Sequence, residues 1–283
     1  MVFERLYSSK VLEKNFLYAF ILGVAFACIG IGISVILFPQ DPAMISIAIT
    51  SLLFYPTIKS LVNKGENIEA EEDYKLSYFF VDKTNIFKIY LLYFVGVMLV
   101  FSFFSIVMPS FAANHLFENQ IGILYGDISG SATFTLPLFK AILSNNLIVL
   151  FLCFLLAFLI GDVGVLIITW NASVWGTIFG ILAKGAAAST SGNPIIYFLL
   201  IMVIVITHLI FEIMSYVIAA ISGGILSRGL LIEKFSGKRL KVILINVSLL
   251  LSVALLVLLF AVIVETFVLD NITLYQSIIQ QSL

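Results

Sequence analysis

Two side chains four residues apart, His208 and Glu212, lie in the middle of an apolar stretch that runs from Pro194 to Arg228. Four residues is just over one helical turn, so imidazole and carboxylate share a face. Such a pair can hold a metal ion, share a proton, or satisfy each other. Ser215, Ala219 and Ser222 continue the face at helical spacing, while the rest of the surface is Ile, Leu, Val, Phe and Met. A helix of this kind meets lipid on most sides and turns its small-and-polar stripe toward protein. An ionised carboxylate in mid-bilayer costs about 2.5–3.5 kcal/mol even on lenient insertion scales. About ten Leu-like residues return roughly 3–6 kcal/mol on the same scale, so the helix can insert. The pair still requires a partner.

Metal sites as a rule need three or four ligands, and Asp162, Asn171 and His115 are the nearest candidates to complete one with His208 and Glu212. A divalent metal at His208 and Glu212 is therefore one reading, and a structural or proton-sharing pair is favoured over it. No cofactor is certain. Asp162, between two glycines, suits a helix cap at a turn; a hinge inside the membrane would make it a second buried carboxylate. Asn146 opens a span, and Asn171, in mid-span, is expected to pair with the His208 stripe. Gly176-x-x-x-Gly180 and Ala219-x-x-x-Gly223 permit close helix approach. Packing within one chain is favoured there, with a homodimer as the alternative. Phosphate-binding, zincin, nucleophile-elbow and paired C-x-x-C motifs are missing from the sequence. That favours a non-enzyme without deciding the matter.

The elements that must position these residues are apolar helices. Hydrophobic residues make up 61% of the 283 and charged residues 11%, with mean hydropathy +1.16. Soluble domains run at about 25% charged, so the chain is an all-α, polytopic helical membrane protein forming a single integral-membrane domain over 1–283. Its first partner is the lipid bilayer. The net charge of −1 says nothing about nucleic acid, but no basic patch with interleaved aromatics occurs, so no nucleic-acid partner is expected. Cys28 and Cys153 both lie in apolar runs and read as small buried hydrophobes.

About seven transmembrane helices are predicted: 16–38, 43–62, 86–108, 146–160, 163–182, 194–228 and 241–264. The number falls to six if 43–62, which contains Pro56, is re-entrant. The first run is too long for a signal-peptide core. Interfacial helices are predicted at 1–15 and 134–143. Asn193-Pro194 starts the sixth span, which is either one tilted helix or broken near Gly223-Gly224. Residues 63–85 read as a cytoplasmic charged loop, and 110–145 as an external loop with an interfacial helix. Thirteen of the 15 lysines and arginines fall on one side in this arrangement, leaving only Lys140 and Lys184 on the other. The N-terminus is thus expected in the cytoplasm and the C-terminus outside, in the cell membrane.

The order of Asn145-Asn146, Gly161, Gly164, Thr169, Asn171, Gly176, Gly180 and then His208-x-x-x-Glu212 resembles the stage II sporulation protein M family over about 145–228. Thr207, Leu209 and Ala172 stand where that family has Pro, Gly and Gly; His208, Glu212, Asn146 and Asn171 match. The resemblance implies a polytopic membrane protein whose sporulating-bacterial members anchor peptidoglycan-degrading partners. Three expectations follow. The favoured one is a non-enzymatic assembly or anchoring component of a cell-envelope complex, with other membrane or envelope proteins as partners. The alternatives are a permease-like subunit similar to ABC-2 exporters, and an intramembrane metal-binding protein or metalloenzyme.

Overall fold

A computed structural model describes Leu12 and residues 15–69, 76–121, 136–160, 164–232 and 238–282. The helices run α1 Leu17–Leu37, α2 Pro42–Glu69, α3 Leu76–Val107, α4 Ser110–Leu116, α5 Leu136–Ile160, α6 Gly164–Thr190, α7 Pro194–Ile232, α8 Lys238–Asn271 and α9 Thr273–Ser282. No strand occurs among the described residues. Seven of these helices, all but α4 and α9, are long and apolar enough to cross a membrane. The chain is an all-α, multi-pass membrane protein.

The helix boundaries have local causes. Pro42 occupies the first position of α2, where its missing N–H costs nothing. Pro56 sits inside α2 without ending it, so 43–62 forms part of a continuous helix. α7 begins where the Asn193 side chain accepts the Ile195 N–H at 2.9 Å, a side-chain cap followed by Pro194. From there α7 continues unbroken for 39 residues. Thr207 and Leu209, in place of Pro and Gly, leave its hydrogen-bond ladder without a breaker.

Two expectations change. Segment 134–143 is not a separate interfacial helix: from Leu136 it is the start of α5. Pro137 and Lys140 lower the local hydropathy, yet a proline in the first turn has no intrahelical bond to lose, so the helix runs through. The seventh span likewise does not stop at Val264 but carries Glu265 and continues to Asn271. The helix expected at 1–15 lies, apart from Leu12 and Asn15, outside the described residues, as does Asp162.

α6 is the central helix. It packs against α3, α7, α9, α2 and α5, while α1 closes against α2 and α3, and α8 against α7 and α5. Small residues set the spacing. A Cβ on Gly176 would collide with the Met98 carbonyl of α3, one on Gly180 would come 2.8 Å from the Ser102 carbonyl, and one on Gly223 would collide with the Phe154 carbonyl of α5. Both small-residue pairs therefore pack within the chain, and Ala219 is fully buried. The outer surface is apolar, with Ile36, Leu52, Val203 and Leu256 among its most exposed large side chains, as expected of a face that meets acyl chains.

The segment after Pro109 turns back into the bundle. Lys184 on α6 donates to the Met108 carbonyl at 2.5 Å, which fixes the height of that turn. Gln120 nevertheless reaches Ser173, at 3.4 Å. Ser173 lies eleven residues before Lys184, roughly 16 Å down the helix axis. On the way, Phe117 packs its ring 5.6 Å from that of Phe101, and His115 Nε2 meets the Pro39 carbonyl oxygen at 2.6 Å. So 110–121, the start of the expected external loop, fills a wedge between helices; 122–135 lie outside the described residues.

Candidate functional site

The polar groups of the interior gather on two sides of α6. On the side facing α2 and α3 they are hydroxyls and one amide. Thr169, Ser173 and Thr177 follow one another at four-residue spacing and are fully buried. Thr169 meets the Tyr93 hydroxyl at 2.9 Å and donates to the Val165 carbonyl, as Ser173 does to Trp170. Gln120 Oε1 and Thr177 Oγ1 have no hydrogen-bond partner among the described residues.

The other side carries the carboxylates. His208 and Glu212 of α7 are both 2% exposed, so the stripe faces protein as its pattern requires. The pair does not close on itself. Glu212 Oε1 accepts the Tyr216 hydroxyl at 2.8 Å, one turn further along, whereas Glu212 Oε2 and His208 Nδ1 have no hydrogen-bond partner among the described residues. Trp175 of α6 lies beside both: its ring stands edge-on to the imidazole, with centroids 6.4 Å apart, and its indole is a polar neighbour of the Glu212 carboxyl.

The second carboxylate is Glu265 of α8, buried and an electrostatic neighbour of Glu212. Asn146 of α5 donates its amide to Glu265 Oε2 at 3.5 Å. Tyr275 of α9 adjoins Glu265; burial, with that carboxyl adding to it, pushes the phenol's pKa up. Four spans and the terminal helix thus meet around two acidic groups. Their polar neighbours are Asn146, Trp175, Tyr216 and Tyr275.

Of the residues singled out from sequence, His208, Glu212 and Asn146 come together here. Asn171 does not join them: its amide donates to the Ile167 carbonyl of its own helix at 2.8 Å. His115 stands with Pro39 at an end of the bundle. Among the described residues no three His, Cys, Asp or Glu side chains gather as a metal-ligand group, so a divalent ion at His208 and Glu212 would have to draw its remaining ligands from elsewhere. Glu265 is not among the residues that the sequence singles out, because a charge at the end of an apolar run reads as a span boundary. The signal was in the sequence, since Thr266-Phe267-Val268-Leu269 continues the apolar run beyond it.

The sequence profile of stage II sporulation protein M matches residues 90–268. The chain belongs to the stage II sporulation protein M family. The matched stretch runs from inside α3 to α8 and holds Asn146, Trp175, His208, Glu212, Tyr216 and Glu265, so within this family member only Tyr275 of the cluster lies beyond it. No curated protein and no solved structure matches the chain.

Proposed function

We propose that this stage II sporulation protein M family member is a non-enzymatic scaffold that assembles or anchors partner proteins at the cell membrane. The observation that carries this reading is the backbone-to-backbone seating of α6: Gly176 and Gly180 lie against α3 carbonyls, and Gly223 of α7 against an α5 carbonyl. Helices in such contact have little freedom to slide without losing packing. A closed body of this kind holds its ends at fixed positions. The charged end of α2 and the start of α3 belong to one end of the bundle, which the excess of basic residues, thirteen of 15, marks as the cytoplasmic one in this reading, and the turn at Pro109 belongs to the other.

Transport is the second reading, favoured by the intrusion of 110–121 among the spans. Backbone that re-enters a bundle at membrane depth commonly lines a substrate or ion route. A crosslink joining α3 to α6 near Met108 and Lys184 separates the two. A scaffold keeps its cellular effect when the bundle is locked, whereas an alternating carrier loses it. Photo-crosslinkers placed over 63–85 in intact membranes should then capture the same envelope proteins in locked and unlocked forms. Loss of cellular effect on locking, with no adducts, would overturn the scaffold reading.

A further inference from the structure

We propose that Glu212 and Glu265 form a binding site for one small monovalent cation, a proton or an alkali-metal ion, inside the bundle. The site stands on its own geometry and holds whether the protein anchors partners or carries solutes. Two acidic side chains on α7 and α8 are electrostatic neighbours, and both are buried. The groups facing them are Asn146 from α5, Trp175 from α6, Tyr216 from α7 and Tyr275 from α9, with Cys153 of α5 beside Tyr216 and His208 of α7 beside Trp175. No lysine or arginine among the described residues is a neighbour of either carboxylate.

Two adjacent carboxylates removed from water cannot both remain ionised without a compensating positive charge. The protein supplies neutral donors instead. Tyr216 donates to one oxygen of Glu212, and Asn146 makes a long contact with one oxygen of Glu265. Glu212 Oε2 is fully buried with no donor in hydrogen-bond geometry among the described residues, the Trp175 indole being a further neutral neighbour of that carboxyl. An oxygen-rich site with one unsatisfied carboxylate oxygen suits a hard cation or a proton shared by the pair. With two acidic ligands and no group of three His, Cys, Asp or Glu among the described residues, the site falls short of the ligand set a divalent transition ion takes, whereas one proton or one alkali ion leaves the pair with a single negative charge for the neutral donors to meet. His208 makes no hydrogen bond to Glu212, so the imidazole does not supply the positive charge through a direct contact.

The test uses the purified full chain in detergent or nanodiscs. Its melting temperature is followed across roughly pH 5–9 in buffers containing sodium, potassium, or only a bulky organic cation. In the organic-cation buffer the melting temperature should fall as pH rises. Sodium or potassium restores it if the occupant is an alkali ion and leaves it unchanged if the occupant is a proton. Glu265→Gln should reduce the fall, because an amide replaces the second acid and only Glu212 is left to titrate. Should that variant fail to fold, infrared spectra of the wild-type chain with isotope-labelled glutamate give the same answer. They should show either a labelled protonated-carboxyl band lost at high pH, or labelled carboxylate bands that shift on adding the alkali ion. A wild-type chain whose melting and labelled bands ignore both pH and alkali ions overturns the site, as does an unchanged fall in Glu265→Gln.

Discussion

The same substitution should move stability in opposite directions at two glycines. Gly32 of α1 is exposed, and a Cβ there would meet nothing within 4 Å. Gly223 of α7 is buried, and its Cβ would strike the Phe154 carbonyl while coming 3.0 Å from Phe158 N and 3.1 Å from Ala157 Cβ. Replacing glycine by alanine in a helix returns about 0.8–1.0 kcal/mol through propensity. At Gly32 that gain is unopposed, so Gly32→Ala is expected to stabilise by up to about 1 kcal/mol. At Gly223 the obstacle is backbone, which cannot rotate aside, so α5 and α7 must part. Overpacking of this kind costs typically about 1–3 kcal/mol, and separation also loosens the packing around Cys153 and Ala157. The net change at Gly223→Ala is therefore roughly 0–2 kcal/mol of destabilisation, and the two variants should differ by about 1–3 kcal/mol. Reversible unfolding of both variants in the same detergent measures the difference directly. A Gly223→Ala protein at least as stable as Gly32→Ala would refute the close seating of α7 on α5.

Three further outcomes follow from the carboxylate cluster and the hydroxyl seam. Glu212→Ala should fall below Glu212→Gln by about 1–3 kcal/mol in unfolding experiments, because only glutamine keeps an acceptor for the buried Tyr216 hydroxyl; equal stability would contradict this. Tyr216→Phe removes the donor and strands Glu212 Oε1 beside an already unpartnered Oε2. It should cost about 1–3 kcal/mol, checked by the same unfolding assay, and the loss should shrink when combined with Glu212→Gln in a double-mutant cycle. Thr177→Val, by contrast, deletes a buried hydroxyl that has no protein partner, so it should leave stability unchanged or raise it, whereas Thr169→Val, which breaks contacts with both Tyr93 and Val165, should lower it.

How far the sequence carries depends on whether the information is local. Spans were legible because a bilayer demands about 20 apolar residues in a row, a property each segment has by itself. The inward turn of His208 and Glu212 was legible for the same reason, since lipid penalises the opposite choice. Glu265 shows where local reading fails. A carboxylate near the end of an apolar run reads equally as a boundary or as a buried group, and only its contact with Asn146, 119 residues earlier, decides. Asn171 failed in the other direction. Its polarity suggested a long-range partner, but an asparagine in a helix can satisfy itself on the carbonyl four residues back, and here it does. The wedge at 110–121 was hidden because its polar composition resembles that of any external loop, while Gln120 finds its partner on α6, 53 residues further along the chain.

The contrast between the two faces of α6 separates what packing explains from what it does not. Thr169 and Ser173 return their hydroxyl protons to carbonyls of their own helix, as Ser102 and Ser105 do on α3. Such groups are nearly free of desolvation cost, and a bundle can accumulate them for close packing alone. A carboxylate has no such local remedy: no helix carbonyl can donate to it, and its charge has to be met by a proton, a cation or a donor from another element. Glu212 and Glu265 are nevertheless held together on α7 and α8 and, among the described residues, given neutral donors. Apolar residues of similar size would hold α7 against α8 as well or better. Packing therefore accounts for the hydroxyl side of α6 and not for the acidic side, and the chemistry of this chain should be sought where Glu212 and Glu265 meet.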